Sequence, residues 1–481
     1  MNGDKNIQAL TTLNGIRSVY FVGIGGIGMS AIARYFISLG MKVSGYDKTQ
    51  TELTKELEKE GIPIHYSEDL SQIPKEVDLV VYTPAIPKEH QELVYYRENG
   101  FKVVKRSDVL QAISADSFNV CVAGTHGKTT ISTMIAHILR HTGFGCNAFL
   151  GGISVNYGTN FWSQPSVDSG EKNVSVIEAD EYDRSFLKLS PDIAVITAMD
   201  ADHLDIYGDE QSMQDAFIAF GNKAKEGGFL IHKFGLGRIK ETHVKNKWSY
   251  SLQNDAADVF AVNIKIEDGG YRFDVRLKDA VLSNVELRTG GMHNVENVLV
   301  AIAVAHALDI EEHKIREAVA AFKGVKRRFE YILPPRKKVE GGYVQPVLID
   351  DYAHHPEELR ALLKSVRSLF PQRVLTVVFQ PHLFTRTRDL AEGFAEVLSM
   401  ADHLVLLPIY PARELPIEGV TSNMILDRAE GKDKQVLDKE GMLRWMQHHE
   451  LDKEFGEVVV IAGAGDIDAL VPRVKEIIEK K

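Results

Sequence analysis

At Val122–Thr130 the chain reads VAGTHGKTT: an apolar strand ends in one glycine, a second follows, and Lys-Thr-Thr opens a helical pattern. This segment constrains the fold more than any other. It demands a strand whose carboxyl end feeds a helix through a tight turn, the unit from which parallel α/β sheets are built. Gly124 and Gly127 let the backbone turn with its N–H groups pointing inward. Lys128 supplies a point charge for terminal phosphates, Thr129 can place its hydroxyl on Mg²⁺, and the helix N-terminus favours an anion. Thr125, His126 and Thr130 complete the loop. Two residues separate Gly124 from the Gly127-Lys128 pair, fewer than in the usual phosphate loop, so the match is to a shortened variant. The alternative is a plain strand-to-helix turn with an exposed lysine. The coincidence of strand, glycines, Lys and Thr favours phosphate.

The 481 residues suggest about three domains at roughly 100–200 residues each. Short apolar strands alternate with helical patterns over Ser18–Val22, a helix from about Gly28 to Leu39, Lys42–Tyr46 and Asp78–Tyr82. That predicts a parallel α/β unit over 1–114. A second unit, 115–326, has strands at Asn119–Ala123, Val174–Ile177 and Ile193–Thr197, and helices at about Glu210–Ala224 and Asn294–Leu308. Between Val259 and Arg288 the apolar residues alternate and EDGGY marks a turn, so antiparallel hairpins are expected. The third unit, 327–481, has strands at Val347–Ile349, Val374–Phe379, Leu404–Leu407 and Val458–Ile461. Its helices begin after Pro356 and around Thr387, and one runs from Asp466 to Glu479.

A net charge of −11 with 44% hydrophobic and 26% charged residues is ordinary for a globular chain. It argues against a general nucleic-acid binder but not against anionic substrates held by a few local charges. Cys121 and Cys146 are the only cysteines, which rules out a disulfide framework, and Cys121 reads as a buried structural thiol. Met1–Asn14 has no signal pattern and no stretch is apolar enough to span a bilayer. The expectation is a cytoplasmic protein without membrane partners.

Other motifs carry chemistry. In VIEADE, Glu178 and Asp180 at a strand end suit Mg²⁺, with a solvated acidic loop as the alternative. In DADH, His203 is a candidate second metal ligand, although a lone histidine is more often structural. Gly23-Ile-Gly25-Gly26-Ile-Gly28, followed by Met29, Ser30 and, after the next strand, Asp47, reads as a dinucleotide fingerprint. It places a pyrophosphate on a helix N-terminus without telling NAD from another nucleotide diphosphate. Asp350-Asp351-Tyr352-Ala-His354-His355 and FQPHLFTRTR, with His382, Arg386 and Arg388, end adjacent strands and suggest one side of a cleft. A metal site on His354, His355 and Asp351 is the alternative there. For Arg388 a surface ion pair is the safer reading.

GIGGIGMS, GTHGKTT, EADEYDRSFLKL, DADHLDIYG, MHNVEN, KRRFE, DDYAHHP and FQPHLFTRTRD, in this order and over nearly the whole chain, resemble the Mur ligase family. The resemblance implies three α/β domains: an N-terminal Rossmann-like unit binding UDP rather than NAD, a central P-loop-type ATPase domain, and a C-terminal Rossmann-like unit that brings the amino acid. The implied reaction is ATP-dependent addition of L-alanine to UDP-N-acetylmuramate through an acyl phosphate, in peptidoglycan precursor synthesis. Two Mg²⁺ ions are implied, with Thr129 and Glu178 on one and His203 on the other. Lys128 is implied at the β- and γ-phosphates, Asn294 and Asn297 near adenine, Arg328 at a nucleotide phosphate, and Asp351 on the ribose side. Tyr352, His354, His382 and Arg386 are implied around the phosphates and the amino acid.

Two departures bear on this. Relatives often carry Arg where this chain has Leu383, which leaves Arg386 as the main candidate for the alanine carboxylate. The carbamylated lysine of several Mur ligases is missing from Ala216–Phe220, in agreement with alanine addition. Making an amide from a free carboxylate needs activation, and closure around the reactants would exclude water from the acyl phosphate. The rival readings are attachment of a preformed tripeptide to the same sugar nucleotide, and an NAD-dependent oxidoreductase with a fused P-loop module.

Overall fold

The computed structural model describes residues 10, 12–115, 117–164, 173–182, 184–200, 204–336, 344–412, 414–431 and 433–481. The chain forms two compact units. One is built on the residues up to Phe260 with Val275–Leu282 and Glu296–Ala318, the other on Ala261–Asp274, Ser283–Val295 and Val319–Lys481.

The first unit opens with β1 (Ser18–Val22), β2 (Lys42–Tyr46), β3 (Ile64–His65), β4 (Leu79–Tyr82) and β5 (Val103–Lys105), a parallel sheet of order β3-β2-β1-β4-β5. The order reverses beside β1, and the crevice at such a switch point is where open α/β sheets take ligands. Gly23 leaves β1 there. The helix Ile27–Ser38 that follows buries Met29 to Arg34 without a break, and Phe36, because it packs against β7 (Asn147–Ser154) and β8 (Thr159–Ser163) as well as its own sheet.

The next sheet has the order β15-β14-β13-β12-β11-β10-β6-β9-β7-β8. Its middle strands are β6 (Phe118–Ala123), β9 (Val174–Glu178) and β10 (Ile193–Ile196), with β11 (Phe229–Lys233) and β12 (Asn246–Ser251) beyond. All these neighbours pair in parallel. Such strands are buried on both faces and read as continuous apolar runs, as Val120, Cys121, Val122 and Ala123 do at 0% exposure. β13 (Val259–Glu267), β14 (Gly270–Arg276) and β15 (Val281–Leu287) are hydrogen-bonded neighbours. Their connections are too short for a parallel crossover, so they are the expected hairpins.

The second unit carries β16 (Glu330–Leu333), β17 (Val347–Asp351), β18 (Val374–Phe379), β19 (His403–Leu406), β20 (Asp433–Val436) and β21 (Glu457–Ala462), in the order β16-β17-β21-β18-β19-β20. Only the β16–β17 pair is antiparallel among them. The expected helix from Asp466 to Glu479 is two pieces, a 3₁₀ turn Asp466–Leu470 and an α-helix Val471–Glu479. Pro472 explains the break: it cannot donate back to a preceding turn, but it suits the start of a new helix. Cys121 and Cys146 are both buried and free, and burial pushes the Cys146 thiol up to about 12. Among the described residues no helix is long and apolar enough to cross a membrane.

Asn160, fully buried on β8, donates to the Ile27 carbonyl and to Ser30 Oγ at 3.0 Å and accepts from Arg34. One side chain thus fixes the start of the helix that follows the first glycine loop. Asn160→Ala leaves these buried groups unsatisfied and is expected to cost about 1–3 kcal/mol, read as a lower midpoint in urea denaturation.

Candidate active site

Gly124 and Gly127 sit at φ +130° and +80° between β6 and the helix Lys128–His141. A Cβ on Gly124 would lie 2.1 Å from Thr197 Oγ1 and 2.8 Å from the Ala198 amide, so the close approach of the segment after β10 requires glycine. Gly127 caps the helix without a side-chain hydrogen bond. A Cβ there would meet Asn297 Oδ1 at 3.0 Å, which brings Asn297 to the loop. His126 is exposed, with Nε2 3.6 Å from Asp200.

The three carboxylates leaving β9 have three different partners. Glu178 accepts from Thr129 Oγ1 and the Gly151 amide, each at 2.9 Å. Asp180 faces Arg106 at 3.5 Å. Glu181, 1% exposed, takes the Lys128 ammonium at 2.7 Å, while Lys128 also donates to the Gly124 carbonyl at 2.8 Å. Burial raises the Glu181 carboxyl even against Lys128, and its Oε2 has no partner among the described residues. His203 lies outside the described residues, and no cluster of three or more metal-ligating side chains occurs among those described.

At the first glycine loop Gly23 has φ +87°. Asp47 accepts from the Gly25 amide at 2.8 Å and from the Thr49 amide at 3.2 Å. It therefore braces the loop with one oxygen and its own turn after β2 with the other. Gly28 lies under Arg106, whose Nη1 would be 2.2 Å from a Cβ there. Ile27, Gly28, Arg106, Gly151, Glu178 and Asp180 line one cleft, so the first glycine loop faces the end of β9, whose Glu178 accepts from Thr129 just after the second loop.

In the second unit Asp351 ends β17 and accepts from the Phe329 and Ala353 amides, each at 2.7 Å. Burial raises its carboxyl to about 6 in spite of them. Arg327 and Phe329 are both left-handed, at φ 59° and 48°. Arg327 donates to the Gly463 carbonyl, meets Asp468 at 3.2 Å and lies 5.0 Å from the Tyr352 ring centre. Arg328 between them is exposed. Asn294 is buried and donates to the Gly290 carbonyl at 2.7 Å. His354 Nδ1 donates to the Tyr352 carbonyl at 2.9 Å, and its ring stands 6.0 Å from the His382 ring, which stacks on Tyr410 at 5.7 Å. Burial first, then Arg386 and His354, lower the His382 pKa. Arg386 Nη1 and His382 Nδ1 are buried with no partner among the described residues. His355 caps the helix Pro356–Leu369 in a capping box with Glu358. Arg388 is exposed and paired with Asp389 at 2.7 Å, the expected surface ion pair.

Sequence reasoning missed Arg106, Glu181 and Tyr410. Glu181 stands in a motif already singled out, and its adjacency to Asp180 was a usable signal. Arg106 and Tyr410 belong to no local pattern.

Three family models match the chain in succession: "Mur ligase family, catalytic domain" over 18–118, "Mur ligase middle domain" over 122–305 and "Mur ligase, glutamate ligase domain" over 327–465. A UDP-N-acetylmuramate–L-alanine ligase of Cytophaga hutchinsonii is 46% identical over 474 residues, 98% of each chain. That of Porphyromonas gingivalis is 45% identical over 470 residues, 96% of this chain and 99% of the relative. Among solved structures, UDP-N-acetylmuramate-alanine ligase MurC of Thermotoga maritima aligns with TM-score 0.78 and 27% identity, over 96% of this chain and 98% of that one. A murein peptide ligase of Psychrobacter arcticus shares the fold, with TM-score 0.64 and 23% identity over 96% and 99%.

Asp350, next to the site and 4% exposed, is raised to about 7, first by burial, with Arg327 opposing. A carboxyl raised on folding binds more protons in the native than the unfolded chain between about pH 4 and 7, so stability falls as pH rises through that window. Asp350→Asn is expected to raise the denaturation midpoint over wild type at pH 8 and to leave no gain at pH 4.

Proposed function

The chain belongs to the Mur ligase family, and on that premise we propose that it uses ATP to join L-alanine to UDP-N-acetylmuramate in peptidoglycan precursor synthesis. The observation that carries the reading is the shared cleft: Ile27 and Gly28 of one glycine loop face Glu178 and Asp180 beside the other. A sugar nucleotide held by its diphosphate at the first loop can present its carboxylate to a γ-phosphate at the second. Whole-length relatives at 45–46% identity with this activity in their names support it over tripeptide attachment, for which the likeness is one of fold.

The carboxylate oxygen attacks the γ-phosphorus, ADP leaves, and an acyl phosphate forms. The alanine amine then adds to the carbonyl, and phosphate departs from the tetrahedral intermediate. The first step brings an anion to a polyanion. Lys128, the loop amides of Gly124–Gly127 and the N-terminus of the following helix offset that repulsion and fix the phosphates in line. Thr125, His126 and Thr130 belong to this loop. Asn294 and Asn297 are assigned to adenine, Arg328 to a phosphate and Asp351 to the ribose side.

Magnesium fits the residues present. Thr129 Oγ1 and Glu178 are hard oxygen donors 2.9 Å apart. That is about the separation of adjacent ligands in an octahedron with bonds of about 2.0–2.1 Å. Thr129 and Glu178 would hold one Mg²⁺, and His203 is assigned to a second. The ions would supply charge neutralisation on the phosphate oxygens. At the first loop Gly23, Gly25, Gly26, Gly28, Met29 and Ser30 take the UDP part, with Asp47 bracing them. The buried Nη1 of Arg386, unpartnered among the described residues, suits a carboxylate, so Arg386, with Tyr352 and His382, is assigned to alanine, and Lys128, His203, Arg386 and His354 are assigned as catalytic. Domain limits of 1–114, 115–326 and 327–481 and a cytoplasmic location complete the proposal.

Phosphate release from ATP should require UDP-N-acetylmuramate and L-alanine together. Release that ignores alanine overturns the reading. Lys128→Ala should abolish ligation while UDP-sugar binding, measured by calorimetry, stays near wild type. Loss of a charge-assisted bond in Arg386→Ala should raise the KM for alanine by about 10- to 100-fold, with the KM for ATP little changed.

A further inference from the structure

Gly28 takes the place of the third glycine in the G-x-G-x-x-G pattern. In a dinucleotide fingerprint that position serves close packing of helix on strand. Here a cation fills the space. The Arg106 side chain crosses Gly28 so closely that a Cβ there would lie 2.2 Å from Nη1, 3.2 Å from Cζ and 3.3 Å from Cδ. Arg106 opens the helix Arg106–Ala115 directly after β5, and it lines the cleft between the first glycine loop and the end of β9.

Its side chain is 22% exposed, and its carboxylate partner, Asp180, is 43% exposed and 3.5 Å away. That is long for a charge-assisted bond, which runs about 2.7–2.9 Å. A guanidinium this far out of water gains little from so loose a pair. Its planar fork matches two phosphate oxygens at once. The neighbouring helix Ile27–Ser38 has no side-chain cap and no acidic residue in its first turn, so nothing on that turn competes for the charge.

We propose that Arg106 is a substrate-binding residue that clamps the diphosphate of the sugar nucleotide against the first glycine loop, exchanging Asp180 for phosphate oxygens. The inference rests on the assignment of the UDP part to that loop. It selects the diphosphate rather than the muramate carboxylate because the guanidinium lies over Gly28. Lys128, held by Gly124 and Glu181, marks where the carboxylate must react.

Calorimetry on the full chain tests this with UDP and UDP-N-acetylmuramate as separate probes. Arg106→Gln should weaken both by the same factor, about 10- to 100-fold, while affinity for a non-hydrolysable ATP analogue stays unchanged and certifies the fold. Arg106→Lys, which keeps the charge but not the fork, should fall between. Arg106→Met, which keeps the stem over Gly28, replaces Arg106→Gln if that variant does not fold. Unchanged UDP affinity in the charge-removing variant overturns the proposal. So does a loss confined to UDP-N-acetylmuramate, which would move the contact to the sugar acid. Wild-type protein that binds neither probe would instead overturn the assignment of the first loop.

Discussion

Three carboxylates leave the end of β9 within four residues, and the site depends on keeping them apart in function. Left to themselves, Glu178, Asp180 and Glu181 would repel one another and draw water into the sheet end. Each is committed elsewhere: Glu178 to a hydroxyl and an amide, Asp180 to Arg106, Glu181 to Lys128. The Lys128–Glu181 pair is nearly dry, and burying such a pair rarely adds net stability. What it supplies is position. The ammonium is tied to Gly124 and Glu181, so its charge is oriented in advance for the role proposed for it.

Backbone conformation follows the same logic in the second unit. Arg327, Phe329 and Leu383 are bulky residues with φ of 59°, 48° and 71°, a region that costs about 1–3 kcal/mol at each. All three are held by long-range hydrogen bonds. Tyr352 donates its amide to the Arg327 carbonyl, Phe329 donates to Asp351, and Leu383 donates to the Tyr410 carbonyl. Glu414 accepts from the Thr385 amide and hydroxyl, which caps a helix that Leu383 cannot cap. These constraints converge on the ends of β17, β18 and β21, where Asp351, His382 and Arg386 sit.

What was legible in the sequence was what is local. A strand, a glycine turn and a helix start are encoded within ten residues, and so were both glycine loops, the central strands and the hairpins. The Asp466–Glu479 segment misled because its apolar period runs through Pro472, and period outweighed the proline. Arg106 was out of reach for a different reason: its partner is 74 residues away, and a lone arginine carries no sign of which distant group it will meet. Glu181 stood in a legible acidic motif, but its pairing with Lys128, 53 residues away, was not legible.

The first glycine loop shows why a motif needs its surroundings. Read alone, Gly23–Gly28 with Asp47 describes a site for a dinucleotide, with the acid reserved for a ribose hydroxyl. In the fold both Asp47 oxygens accept backbone amides, from Gly25 and Thr49, so the acid shapes the loop. Gly28 makes room for a guanidinium. The same residue types at the same spacing therefore build a pocket with a cation on its wall, open towards the carboxylates at the end of β9. Its chemistry is set by what packs onto the glycines, and that suits a diphosphate carrying a reactive acid better than a nicotinamide.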